Sequence, residues 1–281
     1  MAAAVFRPPI FHPLPKPAPA RRAMTTASYS AAPATVDCAS TSQRWRKLPV
    51  LLFDVMDTLV RDPFYNDVPA FFQMSMKELL AQKHPTAWVE FEKGLIDENE
   101  LARKFFKDGR PLDLEDLGDN SVCTPSFSLE FPDHISAHHW AGSAFDDNRG
   151  LKRCMIRGYS YVDGIDALLQ SLKHKNYEVH AFTNYPIWYM MIEEKLRLSK
   201  YLSWTFCSCL IGKRKPAADC YTEVLHHLGV EPSSCIFVDD RMTNVEAAKD
   251  AGMIGLHFRN ADALKQDLIS LGIEITISEN A

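Results

Sequence analysis

The 281-residue chain has no run of the ~18–20 uninterrupted apolar residues that a membrane-spanning helix needs, so no span is predicted. It lacks a basic surplus as well. Its 31 Lys and Arg stand against 36 Asp and Glu, a formal charge of −5. That balance argues against generic nucleic-acid binding, where cations must neutralise phosphates. A small anionic substrate is still allowed, because a pocket needs only one or two local cations. A disulfide framework is also missing: Cys38, Cys123, Cys154, Cys207, Cys209, Cys220 and Cys235 are odd in number and without framework spacing. They predict free thiols in a reducing compartment. Cys207 and Cys209 alternate within WTFCSCLIG, which reads as a strand with both thiols on one face.

The N-terminus lacks something different. Residues 1–36 contain no Asp or Glu, carry Arg7, Lys16, Arg21 and Arg22, and are rich in Ala, Pro, Ser and Thr. This is the composition of an organelle transit peptide, and the apolar core of ~7–15 residues that a secretory signal needs is not there. Residues 1–44 are therefore expected to be a transit or disordered segment.

What is present is an alternation of short apolar strands and amphipathic helices. Strand one is expected at 49–53, and 64–117 reads as helical from its three- and four-residue apolar steps. Residues 118–150 have no period and are rich in Ser, Asp, Asn, Gly and His, which predicts a loop insertion. Deleting it would run LDLEDL into LKRCMIRGY as one amphipathic helix, so the insertion reads as optional. His134, His138 and His139 within it lack convincing partners for a zinc site. From Tyr161 onward helices of 10–15 residues alternate with strands, the rhythm of a parallel sheet. The expected fold is a three-layer, Rossmann-like α/β parallel sheet. A helical cap (63–158) interrupts a core formed by 45–62 and 159–275.

Four strand ends carry chemistry. LLFDVMDTLV places Asp54 at the end of a buried strand, with Asp57 and Thr58 close behind. VHAFTN ends on Thr183 and Asn184, GKRKP holds Lys215, and CIFVDD ends on Asp239 and Asp240. Open α/β sheets bind ligands outside the carboxyl ends of their strands. A carboxylate nucleophile, a hydroxyl clamp, a cation and an acidic pair are together the components of phosphoryl transfer through an aspartyl-phosphate.

The order DVMDT, TN, KRKP and DDRMTN resembles the four motifs of the haloacid-dehalogenase-like hydrolases, over about residues 48–260. The segments FDVMDTLVRDPFY, HAFTNYPIWY, YLSWTFCSC and GKRKP are further similar to the plant plastid members that hydrolyse flavin mononucleotide (FMN). The resemblance implies a magnesium-dependent phosphatase of a small phosphorylated metabolite, FMN in the first instance, in the chloroplast stroma. The alternatives are another phosphorylated metabolite, such as a sugar phosphate or nucleotide, and a catalytically silent binding module.

By that resemblance Asp54 is the nucleophile and a Mg2+ ligand. Thr183 and Asn184 bind phosphoryl oxygens, and Lys215 neutralises charge while Lys213 and Arg214 are solvated. Asp240 ligates the ion together with the backbone carbonyl of Met56, and Asp239 and Asn244 support it. The chain departs from the family where a second Asp, the general acid and base, is usual: Met56 stands there and cannot donate a proton. Asp57, one residue later, is the expected partial substitute. Phe64, Tyr65, Phe71, Phe72, Trp88, Phe91, Tyr185, Trp188 and Tyr189 supply rings that either stack on a substrate or fill the core.

Overall fold

The computed structural model describes residues 47, 49–114 and 150–276. The predicted transit segment, most of the 118–150 insertion, and Cys38, Cys123, His134, His138 and His139 lie outside the described residues.

Strands β1 (Val50–Phe53), β2 (Val179–Thr183), β3 (Ser203–Cys207), β4 (Cys235–Asp239) and β5 (Ile254–His257) pair in parallel in the order β3-β2-β1-β4-β5. Period-two alternation builds two cores from one sheet. Leu51, Phe53, Val179, Ala181, Ile236 and Val238 belong to one buried cluster. Val50, Leu52, Phe182, Phe206, Cys235 and Phe237 belong to the other. Near-continuous apolar strands are what a sheet covered on both faces requires.

The helical insertion follows β1 as α1 (Asp67–Phe71), α2 (Met76–Gln82), α3 (Ala87–Glu92), α4 (Glu98–Lys104) and α5 (Leu151–Gly158). The core helices are α6 (Ile165–His174), α7 (Tyr189–Leu196), α8 (Ser208–Ile211), α9 (Ala218–Leu228), α10 (Met242–Asp250) and α11 (Ala261–Ser270). Apolar residues of α6 and α11 pack in the first cluster and those of α9 in the second, giving three layers.

Sequence periodicity overestimates helix length in the insertion. The stretch 69–82 is cut at Gln73, whose φ is +53, and restarts behind Ser75, which forms a capping box with Glu78. The stretch 87–109 is cut at Gly94 (φ +66) and restarts behind a second capping box, Asp97 with Glu100. Gly94 is required twice over. Its conformation is left-handed, and a Cβ there would lie 2.9 Å from the carbonyl oxygen of Cys209.

Residues 111–114 run beside the start of α5, with Leu151 N donating to Asp113 O at 3.0 Å. One more expectation needs correction: Cys207 and Cys209 do not share a strand face. β3 ends at Cys207, and Cys209 lies in the short turn of helix α8.

Candidate functional site

The strand order reverses between β1 and β4, the point at which open α/β sheets place their ligand crevice beyond the carboxyl ends of the strands. Asp54 follows β1 directly and its N–H continues the ladder to Val238 O at 2.8 Å. The chain then folds back tightly, with Val60 N donating to Val55 O and Asp57 held at φ +55. Asp239 closes β4, and the N–H of Asp240 donates to Thr58 Oγ1 at 3.1 Å, which ties the two turns together.

Lys215 reaches this crevice from the loop after α8 and is 1% exposed. Its Nζ donates to Asp54 Oδ1 at 2.8 Å and to Asp239 Oδ2 at 2.5 Å. The ammonium also lies 5.2 Å and 5.0 Å from the ring centroids of Phe182 and Phe237. Its backbone is clamped by Asn184: Lys215 N donates to Asn184 Oδ1, and Asn184 Nδ2 donates to Lys215 O, both at 2.8 Å. Asp239 is fully buried and further accepts from Arg241 N at 2.8 Å and from Asn244 Nδ2 at 3.0 Å. It is a carboxylate whose oxygens are occupied by the protein.

Oxygens of Asp54, Asp239 and Asp240 lie within 4.8 Å of one another. Burial, the nearby carboxylates of Asp239 and Asp240, and only partial relief from Lys215 push the Asp54 carboxyl up to about 7. Asp240 rises to about 6, from burial first and then Asp239. Burial alone would pull Lys215 down, but Asp54 and Asp239 hold it above the usual lysine value. This is an acidic cluster short of positive charge, made of hard oxygen donors. It fits a divalent cation such as Mg2+.

Thr183 ends β2 2% exposed, and its Oγ1 has no hydrogen-bond partner. A buried, unsatisfied hydroxyl beside the lysine clamp is free for a ligand oxygen. Asn184 uses its amide oxygen and one amide N–H on the backbone of Lys215, which makes it the clamp of the lysine loop. Thr183 and Asn184 do not cap a helix, because α7 starts at Tyr189. Asp57 Oδ1 accepts from Asp62 N at 2.9 Å and so braces the exit from the turn.

The helical insertion sits on the same end of the sheet. Tyr65 Oη accepts from Arg241 Nη2 at 3.1 Å, Trp188 Nε1 donates to Glu98 Oε1 at 2.6 Å, and Ser208 Oγ donates to Glu92 O at 2.5 Å. Arg214, expected to be solvated, instead places Nη2 2.9 Å from Glu92 Oε2, while Lys213 stays at the surface beside Glu223. Glu92, which the motifs did not mark, thus ties the inserted helix α3 to the lysine loop. The signal for Glu92 was a carboxylate on the buried stripe of AWVEFE, next to Phe91 and four residues from Trp88. Asp62 was also missed. Burial above all, aided by Asp57, pushes it up to about 6.

The model of the haloacid dehalogenase-like hydrolases matches residues 48–252. The chain belongs to that family. It is 57% identical over 234 residues to flavin mononucleotide hydrolase 1, a chloroplastic protein of Arabidopsis thaliana, covering 83% of this chain and 82% of that one. It is 34% identical over 200 residues to the sesquiterpene phosphatase astK of Aspergillus oryzae, covering 71% and 86%. In fold it is similar to a HAD-like hydrolase of Porphyromonas gingivalis, with TM-score 0.55 and 15% identity over 81% of this chain and 98% of that one. A HAD family enzyme of Bacteroides thetaiotaomicron gives TM-score 0.53 at 15% identity, covering 79% and 99%. Among the described residues no helix is long and apolar enough to cross a membrane.

Proposed function

We propose that this hydrolase is a magnesium-dependent phosphatase that converts FMN and water to riboflavin and phosphate in the plastid. The observation that carries the chemistry is the buried Lys215 bridge between Asp54 and Asp239, with Asp240 alongside. The substrate and the compartment rest on the 57% identity to a chloroplastic protein named for FMN hydrolysis.

Asp54 is the nucleophile. One carboxylate oxygen is held by Lys215, and the other attacks phosphorus in line as the bond to the ribityl oxygen breaks. Water then cleaves the resulting aspartyl-phosphate, and the carboxylate returns. Lys215, fixed by Asn184 and walled by aromatic rings, offsets charge shared between Asp54 and the phosphoryl group in a low-dielectric pocket. The Thr183 hydroxyl donates to a phosphoryl oxygen.

Asp54, Asp240 and the carbonyl of Met56 would hold Mg2+, with Asp239 and Asn244 fixing their surroundings. The ion would polarise the phosphoryl oxygens and keep Asp54 ionised. Met56 leaves the usual acid missing, which costs on the order of 10²–10⁴-fold where it is not replaced. Asp57 partly replaces it. The insertion 63–158 acts as a cap that excludes water from this chemistry.

A phosphate-release screen over phosphorylated metabolites, with and without magnesium, tests the reading. FMN should be the preferred substrate, EDTA should abolish release, and Asp54→Asn should be inactive. A different metabolite turning over faster, or wild-type speed in Asp54→Asn, refutes it. A metal-free dehalogenase is disfavoured by the three clustered carboxylates.

A further inference from the structure

Among the described residues, three buried side-chain atoms lack a hydrogen-bond partner: Thr183 Oγ1, Glu92 Oε2 and Arg214 Nε. The first belongs to the phosphoryl pocket. The other two face one another across the junction between cap and core. Arg214 Nη2 lies 2.9 Å from Glu92 Oε2 as an ion pair, while the buried Arg214 Nε is left without an acceptor. The other Glu92 oxygen is fixed by Trp88 Nε1 at 2.7 Å. Trp88 in turn packs edge-on against Trp188, with ring centroids 5.7 Å apart, and lies 6.4 Å from Phe64.

We propose that Glu92 and Arg214 form a specificity subsite that reads the edge of a flat heteroaromatic leaving group through its adjacent N–H and C=O. The inference rests on the FMN reading above and adds the residues that select the flavin. The carboxylate of Glu92 accepts from the ring N–H, and Arg214 Nε donates to the neighbouring carbonyl. The flavin pyrimidine ring offers this donor–acceptor edge; a prenyl chain or a sugar ring has none.

The reach agrees. Arg214 directly precedes Lys215, whose Nζ touches Asp54. One residue step plus an extended lysine side chain spans at most about 10 Å, so Arg214 stands within one substrate length of the nucleophile. The pair joins the inserted helix α3 to the core, and the Trp88 and Phe64 rings lie beside it, where they can pack against a flat ring.

The test uses the full-length chain with magnesium and compares kcat/KM for FMN and for 3-methyl-FMN, in which the ring N–H is replaced by N–CH3. The wild type should prefer FMN by about 10- to 100-fold, the effect of one hydrogen bond to a charged group plus a misplaced methyl. In Glu92→Gln, Trp88 holds the amide oxygen, and the amide NH2 then stands where the acceptor was. The preference should collapse to near unity. Arg214→Lys, which keeps charge but removes Nε, is the second variant should Glu92→Gln not fold. It should lower kcat/KM about 10-fold on FMN, mainly through KM.

Equal losses on both flavins, with the preference intact, mark the pair as a clasp between cap and core and overturn the inference while FMN hydrolysis stands. Wild-type protein that cleaves p-nitrophenyl phosphate but not FMN overturns the FMN reading and the inference with it.

Discussion

Replacing Lys215 by methionine separates charge from packing at the site, because the two side chains fill similar volumes. Lys215 is 1% exposed and its ammonium is shared by Asp54 and Asp239. Its removal strips that cation from three carboxylates whose oxygens lie within 4.8 Å of one another. Removing one partner of a buried ion pair costs about 3–5 kcal/mol. In a domain of this size 1 kcal/mol is worth about 2–4 °C, so the metal-free melting temperature should fall by about 6–20 °C. Asp54→Asn should move the other way. Its carboxyl is raised from 3.8 to about 7, roughly 4 kcal/mol against the folded anion. Asn removes that burden yet still accepts from Lys215, so a gain of about 1–2 kcal/mol is expected near pH 8. Both variants should lose phosphatase activity. The assay is calorimetry in EDTA and in magnesium. If Lys215→Met melts with the wild type, or Asp54→Asn melts as low as Lys215→Met, the electrostatic account of the site is wrong.

Other expectations follow from the same geometry. In EDTA, stability should decline between pH 4 and 7.5. The folded-state values of Asp54, Asp62 and Asp240, about 7, 6 and 6, all exceed 3.8, so the folded chain holds protons that the unfolded chain releases. That contribution is complete below about 3.8 and is lost as pH rises through 6–7. An Asp54→Asn, Asp240→Asn double variant that declines as steeply as wild type refutes it. Thr183→Val should leave stability unchanged or raise it by up to about 1 kcal/mol, because an unsatisfied buried hydroxyl is removed. The same change should cut kcat/KM by about 10²-fold; denaturant melts and kinetics on one sample decide. Gly94→Ala should destabilise by about 2–3 kcal/mol through the left-handed backbone and the Cys209 carbonyl, read from the shift in denaturation midpoint. Asp57→Asn should slow turnover about 10-fold and change the pH–rate profile; an unaltered rate and profile remove Asp57 from the mechanism.

The carboxylate cluster was legible because Asp54 and Asp239 are anchored to the ends of apolar strands, and strands of this type announce themselves in sequence. Asp54 and Asp239 emerge where a buried run stops, and parallel pairing of β1 with β4 leaves their side chains nowhere to go but the same crevice. Lys215 was found through its neighbour Pro216 and the family pattern. What was hidden depended on contacts across long sequence separations. Nothing local in FTNYP says that Asn184 will clamp a lysine backbone 31 residues away. Arg214 reads as a solvated charge until Glu92, on an inserted helix, is placed beside it. The broken helices of the insertion were obscured for the opposite reason. Apolar steps of three and four residues persist through Gln73 and Gly94, although the backbone there turns left-handed and the helix restarts behind a cap.

The distribution of charge explains why these groups are kept together at a cost to the fold. Asp54, Asp57, Asp62, Asp239 and Asp240 influence one another around Lys215 and Arg241, and three of the five carboxyls are pushed well above their ordinary range. A core selected for stability would not gather them. On the proposed reading a divalent cation would make the cluster favourable and would in turn offset the negative charge of a phosphoryl group. The proposed subsite at Glu92 and Arg214 would follow the same logic at the other end of a substrate. On the proposed reading each set is completed by ligand, which would direct binding energy to the two ends of one molecule.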